Sequence, residues 1–271
     1  GTVTGRFSYN HPNLQQIPSR GQFAKDIRKI FIPEPGEYWL KADYSQQEPR
    51  LLTHFARLVD QPGSGEVQKA YLEKDLDFHQ QTADMAGVKR SLAKTIGLGV
   101  MYGMGYHKLA RELDMEPQEA KTMLQDFHAK VPFMKGMLEA VMNRANNKGV
   151  IRTLLGRKCR FDLWEPTQWG VHKALPLNQA QTEYGMAIKR AYTYKALNRL
   201  IQGSAADQTK KAMVDVYEEL GIVPLIQVHD ELDCSVKDEK QGKQIKDIME
   251  NCTKLEVPSK VDVEMNESWG G

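Results

Sequence analysis

Strand-like segments towards both ends of the chain and a nearly all-helical middle predict an α+β fold. Three observations carry this. Ile222–Val236, I-V-P-L-I-Q-V-H-D-E-L-D-C-S-V, joins two runs of β-branched and aliphatic residues through a polar tip and reads as a hairpin. Val261, Val263 and Met265 alternate with Asp262 and Glu264 in a last strand. From Glu66 to Asn147 the apolar residues recur at helical spacing, which predicts an α-helical insertion.

The chain has 271 residues and is 41% hydrophobic, enough for one large domain or two small ones with a packed core. Lys and Arg number 37 against 35 acids, so the net charge of +2 permits nucleic-acid binding without implying it. Cys159, Cys234 and Cys252 are odd in number and lack a C-x-x-C pair, which argues against a disulfide framework and a zinc site. A reducing compartment follows. No apolar run is long enough to span a bilayer, no signal peptide opens the chain, and H-D-E-L at 229–232 is internal. Gly1 stands where an initiator Met is expected, so the chain reads as a piece of a longer protein.

Residues 1–20 are rich in Thr, Asn, Gln, Gly and Pro, with Arg6 and Arg20 among them. They read as extended or looped backbone, serving either ordinary solvation or a surface for phosphates and base edges. Ile27–Asp43 reads as one or two strands, with Tyr38, Leu40 and Ala42 alternating against Trp39 and Lys41. Tyr44–Ala56 becomes helical after Pro49, leaving Asp43 at a strand-to-helix junction, as a cap or as a positioned carboxylate. After a loop at Asp60–Gly65, helices are predicted at Glu66–Leu72, Phe78–Ala86, Val88–Tyr102, His107–Leu113, Gln118–Ala129 and Phe133–Asn147. Val150–Leu155 reads as a short strand, followed by an irregular basic and aromatic stretch through Trp169. Helices follow at Tyr184–Leu200 and Ala205–Leu220, the second with Ala205, Ala212, Met213, Val216 and Leu220 on one side and Gly221 as its stop. A helix from Lys240 to Leu255 precedes the last strand. No internal repeat is present.

The most informative helix is K-R-S-L-A-K-T-I-G-L-G-V-M-Y-G, residues 89–103. Arg90, Lys94, Leu98 and Tyr102 follow one another at intervals of four and share a stripe. Its order of cation, cation, apolar and aromatic suits a triphosphate at one end and a base and sugar at the other. Gly97, Gly99, Gly103 and Gly105 each cost about 1 kcal/mol relative to alanine in a helix, so close approach by a backbone or a base is expected there. The spacing is neither a dinucleotide fingerprint nor a P-loop. His229-Asp230-Glu231 is either a solvated turn or a site.

T-V-T-G-R-F-S…P-N-L-Q-Q-I-P, K-A-D-Y-S-Q-Q-E-P-R, R-x-x-x-K-x-x-x-L-x-x-x-Y-G and Q-V-H-D-E-L occur in this order. Together they resemble the palm and fingers of a family A DNA polymerase of the bacterial DNA polymerase I type, over essentially the whole chain.

The resemblance implies an antiparallel palm sheet backed by helices, with an inserted α-helical fingers subdomain. Residues 1–60 and 183–271 would be palm and 61–182 fingers, with thumb and exonuclease portions outside this chain, upstream on the same chain or on another. It implies template-directed nucleotidyl transfer from dNTP to a primer 3′-hydroxyl, with primer-template DNA as partner and no membrane. Asp43, Asp230 and the Tyr44 carbonyl would hold two Mg²⁺ ions, with Mn²⁺ as a substitute. Arg90 and Lys94 would grip the β- and γ-phosphates, and Lys94 would protonate departing pyrophosphate. Glu48 resembles the steric gate under the sugar, with Tyr102 as its partner. Gln46, His79, Leu98 and Tyr102 would complete the nucleotide site, and closure of the 89–103 helix would exclude water. Arg6, Asn13, Gln15, Tyr102, Gly103, Asn198, Gln202, Gln227 and His229 fall where the family contacts DNA. Glu231 would be secondary, and Asp233 is assigned to structure or solvent.

Departures from the family pattern are Leu98, where Phe or Tyr is usual, and Gly97, Gln47 and Pro49. They lean towards a viral or divergent member and bear on nucleotide selectivity. Two other classes compete. One is an HD-type metal phosphohydrolase, from His229-Asp230 with His54 and His79. The other is a thumbless module that binds template and nucleotide with little turnover.

Overall fold

A computed structural model describes residues 2–18, 21, 23–74, 76–168, 170 and 172–271; Arg20 and Trp169 lie outside these. The elements in order are α1 (Ala24–Lys29), β1 (Tyr38–Tyr44) and α2 (Gln47–Leu58). Six helices follow: α3 (Ser64–Glu73), α4 (Phe78–Ala86), α5 (Arg90–Met101), α6 (Tyr106–Leu113), α7 (Pro117–Lys130) and α8 (Pro132–Lys148). Then come β2 (Val150–Arg152), β3 (Lys158–Arg160), β4 (Leu163–Pro166), β5 (Leu175–Pro176), α9 (Leu177–Tyr184) and β6 (Ile188–Arg190). The chain ends with α10 (Ala196–Leu220), β7 (Ile226–Val228), β8 (Glu231–Val236), α11 (Glu239–Asn251) and β9 (Val261–Asn266). It is a mixed fold of helices and antiparallel sheet, as predicted. Two compact units emerge, one of residues 1–51 and 202–271 and the other of residues 52–201.

The first unit holds a four-stranded antiparallel sheet in the order β7-β8-β1-β9. β1 is central because its alternation serves two faces. Leu40, Ala42 and Tyr44 point into a core with Leu232, Cys234 and Val236 of β8, Ala212 and Val216 of α10, and Ile245 and Met249 of α11. Trp39 points the other way and packs with Ile226 and Trp269. Asp238 caps the start of α11, its side chain accepting from the Gln241 N–H, and α10 stops at Gly221 with φ +69°.

The second unit is mainly helical. Asp77 caps α4 by accepting the N–H groups of His79 and Gln80, and Gly87 closes it in the left-handed region. Pro117 and Pro132 sit in the first turns of α7 and α8, where a missing N–H costs nothing. Phe78 and Phe133 are fully buried and meet edge to face at 6.2 Å.

Four predicted segments differ. Ile27–Asp43 contains one strand, β1; Ile27 belongs to α1 instead, and the following Phe31 packs edge-on against Trp269 at 5.4 Å. The stretch after β2 is not irregular, because Thr153 turns back to Arg157 and β3 pairs with β2, while β4 pairs with β5 and β6. Tyr184–Leu200 is not one helix. Gly185, with φ +73°, ends α9, and Ile188–Arg190 join β4 as a strand before α10 starts at Ala196. α2 also begins at Gln47 rather than after Pro49, so the proline lies in its first turn. No helix among the described residues is long and apolar enough to cross a membrane.

Leu40 is fully buried between β8 and β9, and its Cδ1 lies close to Gly242 of α11. Leu40→Ala should lower the unfolding free energy by about 2–5 kcal/mol. Urea denaturation checks this: the midpoint falls while the slope stays the same.

Candidate active site

Asp43 lies one residue from the end of β1, at the centre of a row of acids. Strand register places Glu231 of β8 opposite it on one side and Asp262 of β9 on the other. In the next same-facing row, Lys41 stands between Asp233 and Glu264. The surrounding protein desolvates the Asp43 carboxylate even though the residue remains open at the surface, and Asp230, Glu231, Asp262 and Glu264 repel its charge. Together they push its pKa up to about 7.

Asp230 comes from the two-residue tip between β7 and β8. His229 before it adopts φ +56°, a left-handed conformation uncommon outside glycine. The Tyr44 N–H donates to the Asp230 carbonyl at 3.2 Å, tying the tip directly to the end of β1. Burial raises the Asp230 pKa, opposed by its own backbone N–H, Arg6 and His229. The Gln227 side chain donates to the His229 carbonyl at 2.6 Å, bracing the tip from inside the hairpin, while the Gln227 N–H donates to the Tyr9 hydroxyl of the N-terminal segment at 3.0 Å.

Arg6 Nη2 donates to Glu48 Oε1 at 2.7 Å, while Arg6 Nε is buried without a partner. Arg6, Gln15, Gln227 and His229 line one small cleft together with Phe7 and Lys210. Asn13 uses its side chain to accept the Gln15 N–H. Gln46 has φ +54° in the turn between β1 and α2. His229-Asp230 lies in a strand-to-strand turn, which removes the helical context that an HD-type phosphohydrolase requires.

In the second unit, α5 buries Ala93, Ile96, Gly97 and Val100 and leaves Arg90 and Lys94 exposed and Leu98 half-buried; Tyr102, its C-cap, is exposed. Arg90 is paired with Asp77, Nη2 to Oδ2 at 2.7 Å. Burial opposes the Asp77 charge, but hydrogen bonds from Arg90 and the Gln80 N–H outweigh it and hold the pKa low. His79 is held below the usual histidine range by burial and then by Lys94 and Arg90, against Asp77, and its Nδ1 is buried without a partner. Gly103 answers the expectation of close approach: at φ +70°, a Cβ there would lie 2.5 Å from the Tyr194 carbonyl oxygen. Asn198 and Gln202 are half-exposed on α10.

A family model for DNA polymerase family A matches residues 1–271. The chain belongs to DNA polymerase family A. A DNA-directed DNA polymerase of Pseudomonas phage M6 is 40% identical over 312 residues, covering 100% of this chain and 44% of that protein. The thermostable DNA polymerase I of Thermus aquaticus is 33% identical over 283 residues, covering 99% of this chain and 31% of its own length. Among solved structures, the POL domain of Pol1 from M. smegmatis in complex with DNA primer-template and dNTP superposes with a TM-score of 0.79. It is 29% identical, with 99% of this chain and 46% of that chain covered. The chain thus spans less than half the length of these relatives.

Within this family A chain, the supporting roles of two residues of α2 were not evident in the sequence. Arg50 is buried and donates to the Ser45 carbonyl at 2.9 Å and the Pro258 carbonyl at 2.6 Å, fixing the turn after Asp43. Gln47 donates to Gln208, which reaches Thr253 and Ser259, so the departure at position 47 is built into a buried amide network. Both lie in the first turn of α2, Q-E-P-R, where polar side chains are ordinary, so the sequence carried no signal for either role.

Asp233 is fully buried, so of the two predicted roles, structure or solvent, only the first stands. Its Oδ1 accepts the Trp39 indole N–H at 2.7 Å. Burial and the adjacent Glu231 carboxylate push its pKa up to about 9, so at neutral pH it is a neutral acid.

The folded chain therefore keeps a proton on Asp233 that the unfolded chain loses near about pH 4, and this contribution to stability fades as pH rises from about 4 to 9. Asp233→Asn retains an acceptor for Trp39 and an N–H towards Glu231 without a charge. Its stability relative to the native chain should increase between pH 6 and pH 9 in urea titrations. An identical difference at both values contradicts the assignment.

Proposed function

We propose that this chain carries out template-directed DNA synthesis, with the primer 3′-oxygen attacking the α-phosphorus of a deoxynucleoside triphosphate and pyrophosphate leaving. The observation that carries the reading is the tie between Tyr44 and Asp230, which brings two carboxylates from distant sequence to one strand end in a family A chain. Phage and bacterial relatives named as DNA polymerases support it, as does a structural neighbour in complex with primer-template and dNTP. Residues 1–60 and 183–271 correspond to palm and 61–182 to fingers in this reading.

The donors available at Asp43, Asp230 and the Tyr44 carbonyl are all oxygen, which suits Mg²⁺ or Mn²⁺. Mutual repulsion at Asp43 is what a cation would relieve. Among the described residues no group of three or more His, Cys, Asp and Glu side chains is placed to hold a metal ion by itself. Two such ions, when bound, supply acidification of the primer hydroxyl and neutralisation of phosphate charge.

The chain's own groups do the rest. Arg90 and Lys94 bind the triphosphate, and His79 adds a neutral imidazole beside them. Lys94 gives a proton to the pyrophosphate oxygen released from the α-phosphorus. Arg6 holds Glu48 in place under the sugar and retains an unpaired Nε for the primer terminus. Arg6, Gln15, Gln227 and His229 present polar groups to minor-groove acceptors, which report base-pair shape without sequence. Leu98 and Tyr102 pack on the nucleotide and template.

Primer extension with Mg²⁺ tests this reading. Asp230→Asn should lower the rate by about three orders of magnitude, or ~4 kcal/mol of transition-state stabilisation. Extension that survives the substitution removes Asp230 from the mechanism. At α5, Leu98→Phe should change single-turnover incorporation or discrimination against dideoxynucleotides. Unchanged kinetics would sink the proposed contact.

A further inference from the structure

We propose that Trp269 is a positioning residue for cation binding at Asp43 and Asp230, acting through its indole N–H on Glu231. Trp269 lies beyond β9, is fully buried, and donates from Nε1 to Glu231 Oε1 at 3.3 Å. Glu231 is the register partner of Asp43 and the sequence neighbour of Asp230, so its carboxylate is the fixed charge nearest the pair along β8.

The indole is locked on several sides. Trp39 stacks on it at 6.3 Å with 25° between planes, Phe31 meets it edge-on at 5.4 Å, and the Arg28 guanidinium lies 4.1 Å over its ring. The Trp269 N–H donates to the Phe31 carbonyl at 3.0 Å, which fixes the backbone as well. From below, Trp39 donates to Asp233, whose carboxyl neighbours Glu231. Two buried indoles thus each use their single donor on an acid of the same face of β8. Apolar anchoring of the chain after β9 needs the ring but not this N–H.

The inference rests on the metal-site reading, and calorimetry without DNA or nucleotide separates the two. Trp269→Phe keeps an aromatic ring and removes the donor. Its Mn²⁺ dissociation constant should rise about tenfold, the usual cost of losing a group that orients a metal's surroundings. Glu231→Gln should weaken binding as well, and Trp269→Phe added to it should have no further effect. In the native chain, the Trp269 indole N–H resonance should shift on Mg²⁺ addition with the calorimetric midpoint, which decides the matter even if the variant does not fold. Native affinity in Trp269→Phe, additive losses in the double variant, or an unmoved indole resonance would overturn the proposal. Weakened metal binding in a chain that extends no primer would leave it standing and remove the polymerase reading instead.

Discussion

Repulsion between carboxylates gathered at the end of β1 is the constraint on which the rest of the first unit depends. An acid row of Glu231, Asp43 and Asp262 across three strands is unfavourable by itself, since like charges directly opposite destabilise a sheet. It persists because the other face of the same strands is a continuous apolar core, with Leu40, Ala42, Leu232, Cys234 and Val261 buried against α10 and α11. The core holds the register, and the register holds the charges together. A fold that stores repulsion at one strand end is predisposed to take up a cation there.

The site is also held by bonds that bypass the core. Tyr44 joins the β1 end to the hairpin tip, Arg50 clamps the following turn, and Gln227 braces the tip from within. Left-handed backbone at Gln46 and His229 occurs at the two turns that flank the acids. Non-glycine residues in that region cost free energy and persist only where surrounding structure over-determines them. Both turns carry that over-determination in their hydrogen bonds.

Much of this was legible in the residues. The β7–β8 hairpin, the six helices from 64 to 148 and the final strand followed from alternation and helical spacing, because each presents one face to a core. The outward stripe on α5 followed from the same geometry. What was hidden depended on partners distant in sequence. Ile188–Arg190 form a strand only because Trp164–Pro166 are there to pair with, and Ile27 joins a helix whose end delivers Phe31 to Trp269. Asp262 and Glu264 were visible as alternating acids, yet their place beside Asp43 required the register of β9. Asp233 was assigned to structure or solvent, and only the buried Trp39 donor decides between them.

The central claim is that Asp43 and Asp230 act as one cation site created by strand pairing. Its most direct test is a cycle of Mn²⁺ calorimetry on the native chain, Asp43→Asn, Asp230→Asn and the double variant, without DNA or nucleotide. The account predicts that either single substitution removes most of the binding energy and that the double variant loses little more. Losses that add would show two independent acids and contradict it.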